Sequence, residues 1–190
     1  MATTTPRRSL RRHPVVWTVL AVVAVLAVVA LYLLQPWKLF VDQTVDEALP
    51  VASAPVEPGV VAPAEPAAPV EPVELARGEF ISHEHTTTGS AVVLELPDGS
   101  RVLRLEDLDT SNGPVLKVWL TDAPVIEGRD GWGVFDDGNW VDLGELKGNV
   151  GSSNYPIPVD VDLTELDSVS IWCERFSVSF GAAALEPTTT

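Results

Sequence analysis

The sequence predicts an all-β domain, an antiparallel sandwich or barrel-like fold, preceded by one transmembrane helix. An uncharged apolar run of about twenty residues lies near the N-terminus, which is the length of a membrane span. Residues 77–186 contain short apolar segments that alternate with polar residues and are broken by Gly, Asp, Asn or Pro roughly every 8 to 12 residues, as in sandwiches and barrels. No amphipathic helix of useful length competes with these segments.

The predicted membrane helix covers residues 15–34, which carry no charge. Four arginines and no acidic residue lie within residues 1–14, so the positive-inside rule predicts a basic cytoplasmic tail and an extracytoplasmic C-terminal portion. A cleaved signal peptide is the alternative. Its apolar core is usually about 7 to 15 residues long, and the nearest Ala-x-Ala sequence here, at 52–54, lies well past the apolar run. We therefore expect a retained, single-pass anchor in the cell membrane.

Residues 35–76 are predicted to be an extracytoplasmic linker rich in Pro, Ala and Glu. Seven prolines lie between positions 50 and 72, which excludes a helix. We interpret residues 50–76 as a semi-rigid polyproline II spacer that reaches up to ~80 Å at ~3.1 Å per residue. Residues 38–49 are short and acidic and receive no assignment, and residues 187–190 form a tail.

The charge distribution limits the choice of partners. Beyond the apolar run the chain has 8 basic and all 27 of its acidic residues, so this part repels nucleic acid and anionic lipid head groups. The sequence contains no G-x-S-x-G and no P-loop motif, and we do not expect a stand-alone enzyme. The expected partners are the membrane, through the helix, and an envelope protein or redox partner.

Several strands follow from the alternation pattern. Residues 91–96 and 101–105 flank Pro97-Asp98-Gly99-Ser100, which predicts a hairpin because Pro fixes φ for the turn and Gly accepts the left-handed position after it. The further predicted strands are 116–120, 140–143, 169–173 and 176–180.

The segment around the single cysteine is the most informative. Alternation along 169–173 places Cys173 on an apolar face with Val169 and Ile171, whereas Ser170 and Trp172 share the opposite face. Since the chain has no second cysteine, it forms no internal disulfide and its stability depends on a packed core.

The next strand is expected to feed the same core, because Phe176, Val178 and Phe180 share a face. Glu174 and Arg175 lie between the two strands and lack the Gly or Asn of a tight turn. We therefore predict a bulge or a wider turn near the cysteine.

Three sequence blocks together resemble the DM-thirteen family, a domain commonly labelled an electron-transfer module. The blocks are RVLRLEDLDTSNGPVLKVWLT (101–121), DLGELKGNVGSSNYPIP (142–158) and SVSIWCERFSVSFGAAAL (168–185). With GEFISHEHTTTGSAVV (78–93), the resemblance covers residues 77–185. It implies an all-β domain whose nearly invariant cysteine corresponds to Cys173 and works as a redox thiol or a haem ligand.

Cys173 is thus the candidate redox residue, with Arg175 and Trp172 as supporting residues. A reactive thiol needs access and a lowered pKa, and Arg175 is the nearest cation in the sequence. The alternative is that Cys173 only fills the core, since free cysteines are among the most buried residues. Covalent c-type haem is not expected, because no C-x-x-C-H sequence occurs.

Two metal sites are weighed against solvated surface residues. His83 and His85 point the same way in an extended segment, as a copper site with Cys173 would require, but the axial methionine is missing because Met1 is the only one. Asp130, Asp136 and Asp137 in the loop at 122–140 are candidate calcium ligands. A different class of function, a binding or scaffolding module whose loops contact an envelope partner, also remains open.

Overall fold

The computed structural model describes residues 14–49 and 71–188, and the chain divides into a unit within residues 1–36 and a unit within residues 37–190. The first unit contains helix α1, Pro14–Leu34, which has no buried residue. Among the described residues, α1 is long and apolar enough to cross a membrane, a property that a signal sequence shares. The predicted helix is therefore present as an element of structure.

The second unit is built from two β-sheets, which confirms the predicted all-β class. After a short 3-10 helix, Pro36–Phe40, the strands of the first sheet lie side by side in the order β1, β8, β5, β4, β2, β11. These strands are β1 (Thr44–Asp46), β2 (Val73–Glu79), β4 (Thr88–Glu95), β5 (Arg101–Asp109), β8 (Val150–Ile157) and β11 (Glu186–Pro187). Only the β1–β8 pair in this sheet is parallel.

The second sheet is antiparallel and has the order β3, β10, β9, β6, β7. Its strands are β3 (Ile81–Ser82), β6 (Leu116–Thr121), β7 (Trp140–Glu145), β9 (Ser168–Cys173) and β10 (Val178–Ala184). All six predicted strands are present, and β8 is the longest strand that the sequence pattern missed.

The predicted hairpin joins β4 to β5. The backbone N–H of Leu96 donates to the Ser100 carbonyl at 2.8 Å, and that of Gly99 donates to the Leu96 carbonyl at 2.8 Å. Gly99 has φ 80°, a conformation that costs glycine little because it has no Cβ. The Asp98 carboxylate closes the turn by accepting from the Ser100 N–H at 2.9 Å. The turn chemistry read from the sequence is therefore confirmed.

The main core lies between the two sheets. It receives alternate side chains from the central strands, and each fully buried aliphatic side chain contributes about 1.5–3 kcal/mol. Its members include Val93, Leu103, Leu105, Val118, Val169, Ile171 and Phe180. Both sheets supply these residues, and Val169 and Ile171 of β9 lie among them. A shift of β9 by one residue would turn these side chains out of the core, so the core specifies the register of β9.

Strand β9 is buried on both faces, and every one of its six residues is buried. Its outer face is covered by residues 122–139, which we call the cover loop. A second apolar cluster forms there, with Trp119, Ala123, Phe135, Trp172 and Ala182 as its buried members. The base of the loop is closed by the Asp122 carboxylate, which accepts from the Asn139 N–H at 3.0 Å and from its amide Nδ2 at 2.9 Å.

The described parts of the predicted linker differ from a spacer. Residues 44–46 form β1 and pair with β8, and β2 begins at Val73, four residues before the predicted start of the domain. Glu47 strengthens the pairing of β1 with β8, because its carboxylate accepts from Lys147 Nζ at 2.9 Å and from the Asn154 N–H at 2.7 Å. The proline-rich stretch at 50–70, predicted to be polyproline II, lies outside the described residues.

Candidate functional site

Cys173 is the last residue of β9 and lies in the main core. It is paired with Leu116 on β6 and with Val178 on β10, and it is 0% exposed. Its Sγ–H donates to the Pro114 carbonyl oxygen at 3.4 Å. The predicted apolar face is confirmed, since Val169, Ile171 and Cys173 belong to the main core.

A four-residue turn, 174–177, follows Cys173, so the predicted wider turn is confirmed. The Phe176 N–H donates to the Cys173 carbonyl at 3.2 Å, and Ser177 has φ 48°. The turn contacts the segment before β6, because the Glu174 N–H donates to the carbonyl of Val115 at 3.1 Å. Val115 itself has φ 55°, which is strained for a β-branched residue.

The expected position of Phe176 on the core face is wrong. Phe176 is 54% exposed because it lies in the turn, and β10 starts only at Val178. The register also shifts between Ser179 and Gly181, so strict alternation does not extend along the whole strand.

Burial raises the pKa of the Cys173 thiol above its ordinary value. The backbone N–H groups of Phe176 and Arg175 and the Arg175 charge favour the thiolate, whereas the Glu84 charge opposes it. Arg175 thus acts in the direction expected from the sequence, but burial outweighs it. At neutral pH the thiol is protonated, which makes it a weak nucleophile.

The surroundings of Cys173 do not fit a haem bound through its sulfur. A recess of about 360 Å³ beside the turn is lined by Val115, Glu174 and Arg175 and is not lined by the cysteine. The thiol instead points at a backbone carbonyl inside a packed core. In this conformation no space beside the sulfur accommodates a macrocycle.

Trp172, the other proposed supporting residue, lies on the opposite face of β9. It is 1% exposed and packs in the second cluster beneath the cover loop. Its ring lies 5.0 Å from the ring of Trp119 and 6.3 Å from that of Phe135, measured between centroids. Ser170, expected on the same face, lies there too and donates to the Ser179 hydroxyl at 3.0 Å.

His83 and His85 occupy different environments. The His83 ring is buried beside Phe135, at 5.7 Å between centroids, whereas the His85 ring packs on Phe180 at 4.0 Å. His85 also contacts the Glu84 carboxylate, with 2.7 Å between Nε2 and Oε2. Within residues 14–49 and 71–188, no group of three or more His, Cys, Asp or Glu side chains is placed to hold a metal ion. Among these described residues, the structure therefore does not bring together the predicted copper ligands His83, His85 and Cys173. It also does not bring together the predicted calcium ligands Asp130, Asp136 and Asp137.

His83 holds the cover loop through a hydrogen bond, a contact that was not predicted from the sequence. Its Nε2–H donates to the Ile126 carbonyl at 3.1 Å, so the neutral ring accepts at Nδ1 from the Ser179 hydroxyl at 2.9 Å. Burial lowers the pKa of His83, an effect that the bond to Ile126 partly offsets. Alternation in β9 placed Ser170 opposite the core face but did not indicate what covers that face.

These features define the class of the protein: a two-sheet β domain with one sequestered thiol, in a chain that also carries an apolar N-terminal helix. A family model described as "Electron transfer DM13" matches residues 79–185, more than half of the chain, and the chain belongs to this family. The predicted resemblance is confirmed, and it indicates a redox-related role. No curated protein matches the chain, and no solved structure matches it.

Proposed function

We propose that the protein is a single-pass membrane protein whose β domain lies outside the cytoplasm and serves as an electron-transfer accessory, with Cys173 as its redox-active group. The observation that carries the proposal is the unpaired, fully buried Cys173 thiol in a domain of an electron-transfer family. The helix supplies the anchor, and the arginines before it supply the orientation.

The environment of Cys173 favours one-electron chemistry over nucleophilic chemistry. A protonated, inaccessible thiol is poorly suited to attack a disulfide, because the thiolate is the attacking species. One-electron oxidation instead breaks the S–H bond, passes the electron to a one-electron acceptor of a partner protein, and releases the proton to solvent. The product is a thiyl radical, which returns to the thiol by gaining one electron and one proton.

The redox assignment is tested on the full chain in detergent micelles with photogenerated tris(bipyridine)ruthenium(III) as the one-electron oxidant. After illumination the protein is unfolded, the remaining thiol is alkylated with iodoacetamide, and mass spectrometry counts it. We expect oxidation to consume Cys173 in the folded protein, while iodoacetamide alone leaves it unmodified over the same time. A thiol that survives illumination would identify Cys173 as core filling.

The membrane orientation is tested separately on intact cells that express the full chain. Protease added outside is expected to remove residues 71–188 from the membrane-bound protein after prolonged digestion, while an epitope placed before Arg7 stays protected. Protection of the β domain would refute the extracytoplasmic placement. This outcome is independent of the behaviour of Cys173.

A second candidate function, a binding module, is favoured by the exposed acidic positions on the cover loop. Asp136 and Asp137 are exposed, while the loop is held from beneath by the buried ring of Phe135. A loop with a buried anchor and outward negative charges suits recognition of a basic partner surface. Replacing both aspartates with Asn discriminates the functions: loss of a cross-linked envelope partner in this variant, but not in Cys173→Ser, would favour the binding module.

A further inference from the structure

Three tryptophans form a continuous stack across the outer face of the second sheet. The ring of Trp119 lies 4.0 Å from that of Trp140, with 7° between the planes, and 5.0 Å from that of Trp172, with 24° between the planes. Each of the two contacts is thus a stacked one, in which the π-systems of neighbouring rings face each other.

The strand register builds this stack. Thr121 on β6 pairs with Trp140 on β7, and Lys117 on β6 pairs with Trp172 on β9. Trp119, two residues from each of these β6 positions, is therefore the diagonal neighbour of both tryptophans on the same face. Three adjacent strands each contribute one indole, so the sheet itself holds the rings in line.

Exposure falls steadily along the stack. Trp140 is 43% exposed, Trp119 is 5% exposed and Trp172 is 1% exposed. The inner end lies next to the thiol in sequence, because Cys173 directly follows Trp172 and points to the other face of β9. The stack therefore leads from the protein surface to the backbone beside the candidate redox residue.

The middle ring makes no hydrogen bond to any described residue through its Nε1–H. Within the part of the chain that the structure describes, the Nε1 atom of Trp119 is buried and has no hydrogen-bond partner. An indole that loses one electron becomes a much stronger acid, but loss of its proton needs an acceptor, and none among these residues is hydrogen-bonded to Nε1 of Trp119. Oxidation and reduction of Trp119 thus involve the electron alone, which keeps the step reversible.

We propose that Trp140, Trp119 and Trp172 form an electron conduit, with Trp140 as the contact point for a partner that carries a one-electron metal or haem centre of high potential. The oxidised centre takes one electron from Trp140. Trp119 then gives one electron to Trp140, and Trp172 gives one to Trp119; the step through Trp119 breaks no bond and moves no proton. The positive charge so reaches Trp172, and the partner's centre is reduced by one electron. The inference rests on the proposed electron-transfer function and adds the path that the electron takes between the partner and the interior of the domain.

The conduit is tested on the full chain in detergent micelles with photogenerated tris(bipyridine)ruthenium(III). This complex cannot touch Trp172 directly, so oxidation products found on Trp172 by peptide mapping report charge that has travelled through the stack. We expect such products in the wild-type protein and a loss of roughly threefold or more in Trp140→Phe, because a phenylalanine ring can still stack but is too hard to oxidise to relay an electron. Trp119→Phe, which keeps an aromatic ring in place but interrupts the relay, is expected to give the same loss.

The matched control is Trp132→Phe, since Trp132 stacks over Arg129, at 5.3 Å from Cζ to the ring centroid, and lies outside the three-ring stack. It is expected to leave the yield at Trp172 unchanged, and circular dichroism confirms that each variant is folded. Absence of products on Trp172 in both the wild type and Cys173→Ser, or equal yields in all three tryptophan variants, would overturn the conduit. Cys173→Ser separates the two proposals, because charge that reaches Trp172 has no thiol to pass to in this variant. Products on Trp172 in Cys173→Ser, together with survival of the Cys173 thiol in the illuminated wild type, would leave the conduit standing and refute the role of Cys173.

Discussion

Replacing Phe135 with alanine tests whether the cover loop is packed as tightly as the main core. Phe135 is 0% exposed, and its ring lies between those of His83 and Trp172, at 5.7 and 6.3 Å. Removing a buried phenylalanine side chain costs about 3–5 kcal/mol of unfolding free energy. We expect a value in the upper half of this range, because the cavity is walled by rigid rings that cannot collapse into it.

The measurement is denaturant unfolding of the full chain in detergent micelles, followed by tryptophan fluorescence. The matched control is Phe176→Ala, since Phe176 is 54% exposed in the turn after β9 and its removal should change the stability by no more than about 0.5 kcal/mol. A cost below about 1 kcal/mol for Phe135→Ala would refute a packed loop. The loop would then rest on the sheet without stabilising it.

Three further outcomes follow from the same contacts. Burial lowers the pKa of His83, so the folded protein favours the neutral ring. The stability that this ring contributes is present above about pH 6.5, the ordinary histidine value, and is lost as the pH falls below it. The denaturant midpoint of unfolding should therefore decrease from pH 7 to pH 5 in the wild type and change less in His83→Gln. The buried Cys173 thiol, whose pKa burial raises, should react with iodoacetamide on the order of 100-fold more slowly in the native protein than in denaturant, and equal rates would show that the turn opens freely. Leu103→Ala, in the main core, should cost about 2–5 kcal/mol, whereas Val159→Ala, at a position that is 93% exposed, should cost less than about 0.5 kcal/mol in the same denaturant assay.

Structure was predicted most accurately from the sequence where turn-forming residues or a clear alternation of side chains matched the observed fold. The β4–β5 hairpin has proline, aspartate and glycine at the positions that its turn requires, and β9 alternates cleanly between faces. Strand β8 was missed because its residues, VGSSNYPI, lack the aliphatic content of a strand. Its Pro156 is tolerated because β1 covers only Val150–Ser152, which leaves that part of β8 at an edge.

The candidate site was predicted in part. The position of Cys173 in the core followed from alternation, but the covering of the opposite face did not. The cover loop buries Ser170 and Ser179, and its anchors Val134 and Phe135 are spaced too irregularly to show a pattern. Long-range packing of a glycine- and aspartate-rich loop leaves no periodic signal. The tryptophan stack was not foreseen because it depends on the cross-strand register of β6, β7 and β9, which alternation within one strand does not reveal.

The pairing of β1 with β8 changes what a cut in the proline-rich stretch would do. Both ends of residues 50–70 are held by the same sheet, since β1 lies before the stretch and β2 after it. Cleavage there would produce two fragments that stay associated through the parallel pairing of β1 with β8. The hydrogen bonds from Lys147 and Asn154 to the Glu47 carboxylate would also hold them together. The severed β domain would separate from the N-terminal fragment only as fast as the three-residue strand β1 dissociates from β8, so the separation would be slow and would be accelerated by denaturant or acid.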